Sequence, residues 1–193
     1  MRQITSKKAE EKKVKRNQLI GGSILIIMML FSTVGYSLMS KNKSEEKDNT
    51  ITYANYTFTQ SNGVWNLQIE GFNFSFVNSP KEVPVFDSEL NYLNSYDGKP
   101  LYIISQDSDA ELEIYRNLFY TNSIVQRVQY ACLEGEQCAG EYPIKTCQDN
   151  VIVIQVANTS SMKQQDNCVF IKGKAENLVK LSDSFLLKII GLQ

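Results

Sequence analysis

Between Arg16 and Lys41 the chain runs for 24 residues, NQLIGGSILIIMMLFSTVGYSLMS, without a single charge. At about 1.5 Å per residue, the apolar stretch 19–39 is long enough to cross the hydrocarbon core of a bilayer as one helix. No polar stripe at helical period interrupts it, which argues against a helix buried in a globular core. The residues before it carry Arg2, Lys7, Lys8, Lys12, Lys13, Lys15 and Arg16 against Glu10 and Glu11, a net charge of +5. Such a flank is retained on the cytoplasmic side. The pattern predicts a basic cytoplasmic arm over 1–16, a single transmembrane helix over 17–40 that meets lipid through 19–39, and a C-terminal part outside the cell membrane.

Two other uses of the apolar run remain open. Gly35 and Ser37 have the small-residue spacing of a signal-peptide cleavage site after Ser37, although the run exceeds the usual ~7–15 residue core of such a signal. A pilin-like subunit, with the helix as an assembly spine, would be processed near Gly22. It would have little use for the polar stalk described below.

Dividing the charge at the membrane changes how the composition reads. Residues 41–193 hold 13 of the 20 basic and 19 of the 21 acidic side chains, a net of −6 hidden by a total of −1. An acidic outer part gives no electrostatic reason to bind nucleic acid. All four cysteines, Cys132, Cys138, Cys147 and Cys168, lie in it. In an oxidising compartment they predict two disulfides, for which three pairings exist. The expected pairing joins Cys132 to Cys138 around a short loop and Cys147 to Cys168 across two strand starts. A four-thiolate zinc site is the rival, but no C-x₂-C pair occurs. Asn42, Asn55, Asn73 and Asn158 head Asn-x-Ser/Thr sequons, open to glycosylation on the outer side.

Residues 41–50, KNKSEEKDNT, are polar and charge-mixed and suit a flexible stalk. The remaining 51–193 is a common size for one domain with one core. Tyr56 and Phe58, then Trp65, Leu67 and Ile69, then Phe72, Phe74 and Phe76 alternate with polar residues. Period two over three successive runs predicts half-buried strands, with Asn62-Gly63 and Glu70-Gly71 as their hairpin turns. Alternation also turns Asn73 away from the core. Pro80 and Pro84 end this meander, and a short helix is expected after Asp87.

Leu101 to Ser105 reads as a strand. Ser108 with Glu111 fits a capping box ahead of a helix whose inner face carries Leu112, Tyr115, Leu118 and Phe119. Ile124, Val128 and Tyr130 follow as a further strand, which makes a parallel crossover. Val151 to Val156, VIVIQV, is apolar on both faces and should be a central strand, with Cys168 to Lys172 beside it. The polar segment from Ala157 to Asn167 is expected to be an exposed loop. A last helix, Ala175 to Ile190, carries Leu178, Leu181, Phe185 and Ile189 on one stripe and stops at Gly191. The expected class is therefore α+β, with a transmembrane helix, an antiparallel meander, a mixed sheet and two covering helices.

The chain contains no histidine. Ser-His and Cys-His catalysis and His-ligated metal sites are thereby excluded. The outer part holds no G-x-S-x-G, P-loop, G-x-G-x-x-G or C-x-x-C motif. Asp107, Asp109, Glu111 and Glu113 recur at spacing two and could feed oxygen ligands to Ca²⁺. They lack the glycine bend and distal glutamate of an EF-hand loop, and acids at a helix start also serve the dipole. Glu134, Glu136 and Glu141 sit among the cysteines, where two acids converging across a cleft would make a carboxylate hydrolase. Trp65 and the tyrosines Tyr92, Tyr96, Tyr102, Tyr115, Tyr120, Tyr130 and Tyr142 are candidates for a ligand platform or for core. No residue is expected to hold a cofactor.

Asn62-Gly63 with Trp65, Phe72-x-Phe74-x-Phe76, Pro80-x-Glu82-Val83, Thr146-Cys147, the VIVI strand and Asn167-Cys168 through Gly173 form a recognisable series. In it the chain resembles archaeal single-span membrane proteins with a small disulfide-containing outer domain. The resemblance implies an architecture and carries no activity. With an anchor, a stalk, a disulfide-braced domain and no catalytic constellation, the sequence points to a non-catalytic binding or envelope-assembly domain. Its partner would be a protein or glycan at the cell surface.

Overall fold

The computed structural model describes residues 15–31, 49–138 and 140–193. Residues 15–31 form a helix, α1, exposed throughout. Among the described residues no helix is long and apolar enough to cross a membrane. The expected span 19–39 runs past the end of α1 into residues outside the described ones, as do most of the basic arm, most of the stalk and Asn42. The remainder is a separate compact unit, Asp48–Gln193, of α+β class.

This unit begins with an antiparallel meander in the order β1 (Asn49–Tyr53), β2 (Tyr56–Ser61), β3 (Val64–Ile69), β4 (Phe72–Phe76). The alternation that predicts β2 to β4 also sets their faces: Phe58, Leu67, Phe74 and Phe76 are buried. Asn62 and Gly63 both adopt positive φ, 50° and 79°, the geometry that matches strand twist in a two-residue hairpin. β1 is a correction, because it takes Asn49 and Thr50 from the expected stalk. Its polar sequence hides it, and the turn into β2 uses Ala54 and Asn55, both at positive φ, in place of a glycine.

The second sheet is mixed, in the order β10-β11-β9-β5-β6. β5 (Pro100–Ser105) leads through α2 (Ser108–Tyr115) and a π turn at Arg116–Tyr120 to β6 (Arg127–Tyr130), parallel to β5 on one side. β9 (Val151–Val156) lies on its other side and pairs in parallel with β11 (Cys168–Gly173). The segment expected as an exposed loop, Ala157 to Asn167, contains β10 (Ser161–Gln165), antiparallel to β11, with Met162 buried. One apolar residue in five gives too weak a period to find this edge strand in advance. The cysteine segment adds a small parallel pair, β7 (Cys132–Leu133) and β8 (Ile144–Lys145). After Asp87 there is only a 3-10 turn, Leu93–Ser95, in place of the expected helix.

α2 and α3 (Leu178–Ile189) cover one face of this sheet. Ile152, Ile154, Leu101, Ile103, Val169 and Ile171 share one apolar cluster with α3 and with the aromatic face of the meander. The opposite face carries Tyr102, Val151, Val153 and Cys168, against which Leu133, Cys147 and Phe170 pack. Gly173 allows close packing of α3: a Cβ there would stand 2.5 Å from Leu181 Cδ1.

The stripe expected on α2 is displaced. Leu112 is 54% exposed, while Ala110, Glu113, Ile114, Asn117 and Leu118 are buried. Hydropathy assigns Glu113 and Asn117 to solvent, yet each has a partner on a neighbouring element. The cap also shifts by one residue: Asp107, not Ser108, accepts from the Ala110 N–H at 2.8 Å.

Candidate functional site

Two polar assemblies stand out in the domain, and only one of them is open to a ligand. The closed one lies between α2, α3 and the meander. Asn117 Oδ1 accepts from the Ser75 N–H and its Nδ2 donates to the Ser75 carbonyl, both at 2.8 Å. Asn122 does the same for Asn73, at 2.8 and 3.0 Å. These side-chain amides replace the next strand along the outer edge of β4 and leave it no free ladder. The π turn, with the Thr121 N–H donating to the Arg116 carbonyl, shapes the chain between the two asparagines.

Beneath this seam Arg116 donates to the Glu113 carboxylate and, at 3.0 Å, to the Ser75 carbonyl. Asp183, fully buried on α3, accepts from the Asn78 backbone N–H and side-chain amide through Oδ2. Burial first, and then the Asp183 charge, push the Glu113 carboxyl up to about 8. Burial also raises Asp183. Glu113 thus holds its proton into the neutral range beside Asp183, and Arg116 donates to its carboxyl group. Glu113 is 3% exposed, so the pair is a structural device.

The open assembly lies at the carboxyl ends of β5 and β9. The crossover from β5 leaves toward β6, whereas the chain after β9 returns at β11 on the opposite side. Neighbouring parallel strands whose connections diverge leave a crevice beyond their carboxyl ends, the usual ligand position in open α/β sheets. Here the crevice is a cleft of about 430 Å³ between Ile103–Gln106, Ile154–Gln155, the end of β6 and the Cys132–Cys138 loop. Gln106 fixes its floor: its N–H donates to the Ile154 carbonyl at 3.0 Å, and its Oε1 accepts from the Val156 N–H at 2.8 Å.

Tyr130 and Tyr142 flank the cleft, with ring centroids 6.2 Å apart and planes tilted by 60°. The neighbouring Glu111 carboxylate raises the pKa of the Tyr130 hydroxyl. Glu136 and Gln137 reach the rim from the disulfide loop. Among the described residues no lysine or arginine lines the cleft. The start of α2, whose dipole favours an anion, is capped by Asp107 and carries Asp109 and Glu111 in its first turn.

The cysteines pair as expected, Cys132 with Cys138 and Cys147 with Cys168. The four acids at spacing two do not converge. Asp107 is used by its cap, Glu113 is buried toward Asp183, and about 200° of helix rotation separates alternate positions. Among the described residues no group of three or more acids or cysteines is placed to hold a metal. Of Glu134, Glu136 and Glu141, only Glu136 lines the cleft. Tyr96 packs edge-on to Phe185 in the core. Tyr102 lies at the other end of β5, under Lys145, with Arg127 on its hydroxyl; first Lys145 and then Arg127 lower its pKa. Trp65 packs against the meander core. Asn55, Asn73 and Asn158 are exposed.

No protein-family model matches the sequence, and no curated protein or solved structure matches it. Sequence reasoning missed Ser105, Gln106 and Gln155 as cleft residues. A polar residue ending an apolar strand was their only local signal.

Proposed function

We propose that this chain is a membrane-tethered protein whose Asp48–Gln193 domain works outside the cytoplasm as a non-catalytic binding module. The observation that carries the reading is the cysteine chemistry: both pairs are bonded and none is left free among the described residues. Such bonds persist in oxidising compartments and are rare in the cytosol. The exposed apolar side chains of α1, among them Leu19, Leu25, Met29 and Phe31, fit lipid better than water. The cleft supports binding over hydrolysis, since among the described residues a single carboxylate, Glu136, lines it. The resemblance to archaeal single-span proteins points to the same arrangement.

Mass spectrometry of the protein from native membranes, mapped without reduction, tests the proposal. The expected result is an intact N-terminus, two disulfide-linked peptide pairs, and added hexose mass at one or more of Asn55, Asn73 and Asn158. Four free thiols would overturn it by placing the domain in a reducing compartment. A mature N-terminus at Leu38 would replace the tether with a cleaved signal, and one near Gly22 would favour the pilin-like subunit.

A further inference from the structure

We propose that the cleft at the carboxyl ends of β5 and β9 binds a neutral sugar unit of a glycan; this rests on the reading of the domain as a binding module and adds its ligand class. A pyranose presents an apolar C–H face and a rim of hydroxyls that both donate and accept. Its natural complement is an exposed aromatic ring beside amides and a carboxylate. Tyr142, 46% exposed, and Tyr130, 54% exposed, supply the rings. Gln155, Gln137 and Glu136 supply hydrogen-bonding groups around the same 430 Å³ space.

Charge narrows the choice further. Phosphorylated and other anionic ligands favour this position in α/β sheets because a free helix N-terminus faces them. In this chain Asp107 occupies the Ala110 N–H, Asp109 and Glu111 follow, and among the described residues the lining contains no basic side chain. An anion would meet repulsion with nothing to offset it. A small cation would gain from Glu136 and the amide oxygens but would leave the amide N–H donors and the faces of the two rings without a role. A neutral polyhydroxyl ligand uses both.

The Tyr142 ring also lies close over Gly140. Gly140, at φ +118°, brings the backbone so close that a Cβ there would stand 3.1 Å from Tyr142 Cε2. A side chain at this glycine would strain the turn and push the ring from its position. The Cys132–Cys138 bond closes the loop that carries Glu136 and Gln137. The site is therefore built from a rigid strand end and a covalently closed loop.

The test uses the full-length chain in lipid nanodiscs, prepared without sugar-headed detergent and titrated by saturation-transfer NMR. The probes are methyl glycosides of neutral hexoses and N-acetylhexosamines, with choline and inorganic phosphate as competitors of other classes. The expected result is saturable millimolar binding of a neutral glycoside. Tyr142→Ala and Gln155→Ala should each weaken it by about tenfold or more, Gly140→Ala should weaken it less, and Tyr120→Ala, at a distant exposed ring, should leave it unchanged. Absence of saturation, equal binding by the Tyr142 and Gln155 variants, or preference for choline or phosphate would each overturn the proposal. Disulfide mapping of the same preparation separates the failures. Bonded cysteines without sugar binding remove only the ligand class, whereas free thiols remove the outer-domain reading as well.

Discussion

The two faces of the five-stranded sheet are held by different physics. On one face the helices and the aromatic meander bury a continuous apolar cluster, sealed by Glu113, Arg116, Asn117 and Asp183. On the other, a small cluster lies beneath the cysteine segment, and the Cys147–Cys168 bond takes the place of a packed layer. The first face gains its stability from area removed from water. The second gains it largely from limiting the unfolded chain. The cleft beyond β5 and β9 takes Ile104 and Ala131 of its lining from the smaller cluster.

This contrast can be broken from either side. Phe185→Ala, in the fully buried middle of α3, should cost about 3–5 kcal/mol in denaturant unfolding. A loss well under 1 kcal/mol would mean that the helix layer does not carry the core. Replacing Cys147 and Cys168 by serine opens a crosslink with a sequence separation of 21 and should cost about 3 kcal/mol. The same change at Cys132 and Cys138, separated by 6, should cost less. Equal losses would show that the two bonds do not differ in the structure they brace.

The polar seal has its own signature in pH. Glu113 holds its proton up to about 8 in the folded chain, against an ordinary value of 4.5. The folded state therefore binds more protons than the unfolded state between those values. This contribution is complete below pH 4.5 and is lost as pH rises toward 8, with a slope of up to about 1.4 kcal/mol per pH unit. Asp183 shifts in the same direction. Urea unfolding across this range should show the fall, and Glu113→Gln should flatten it. A Gln variant with an unchanged slope would assign the dependence to other groups. The smallest expected effect is at the start of α2, where Asp107→Ala should cost about 1 kcal/mol by removing the cap. If Ser108→Ala were the more damaging change in thermal melts, the capping box expected at Ser108 would be restored.

The places where expectation and structure part share one cause. Strands β2 to β4, β9 and β11 and the helix α3 were legible because their apolar residues recur at the period of the element and adjacent glycines mark the turns. α2 was found, but its inner face was misplaced, because Glu113 and Asn117 are polar residues turned inward toward Asp183, Ser75 and Arg116. β10 was missed because an edge strand buries little, and β1 because its turn uses Ala54 and Asn55. In each case the apolar residues fail to recur at the period of the element: α2 turns polar groups inward to partners far along the chain, whereas β1 and β10 pair with the next strand and bury too little to show it.

The sequence by itself determined the long uncharged segment, the charge asymmetry around it, the absence of histidine chemistry, the aromatic meander and the presence of four cysteines in one C-terminal stretch. These depend on composition and on periods of a few residues. Only the tertiary structure decided that β5 and β9 lie side by side with diverging connections, that Tyr130 and Tyr142 meet across their ends, and that two acids 70 positions apart are buried beside each other. Strand order is a long-range choice: it follows from which faces can be buried together, and only the folded chain brings those faces into contact.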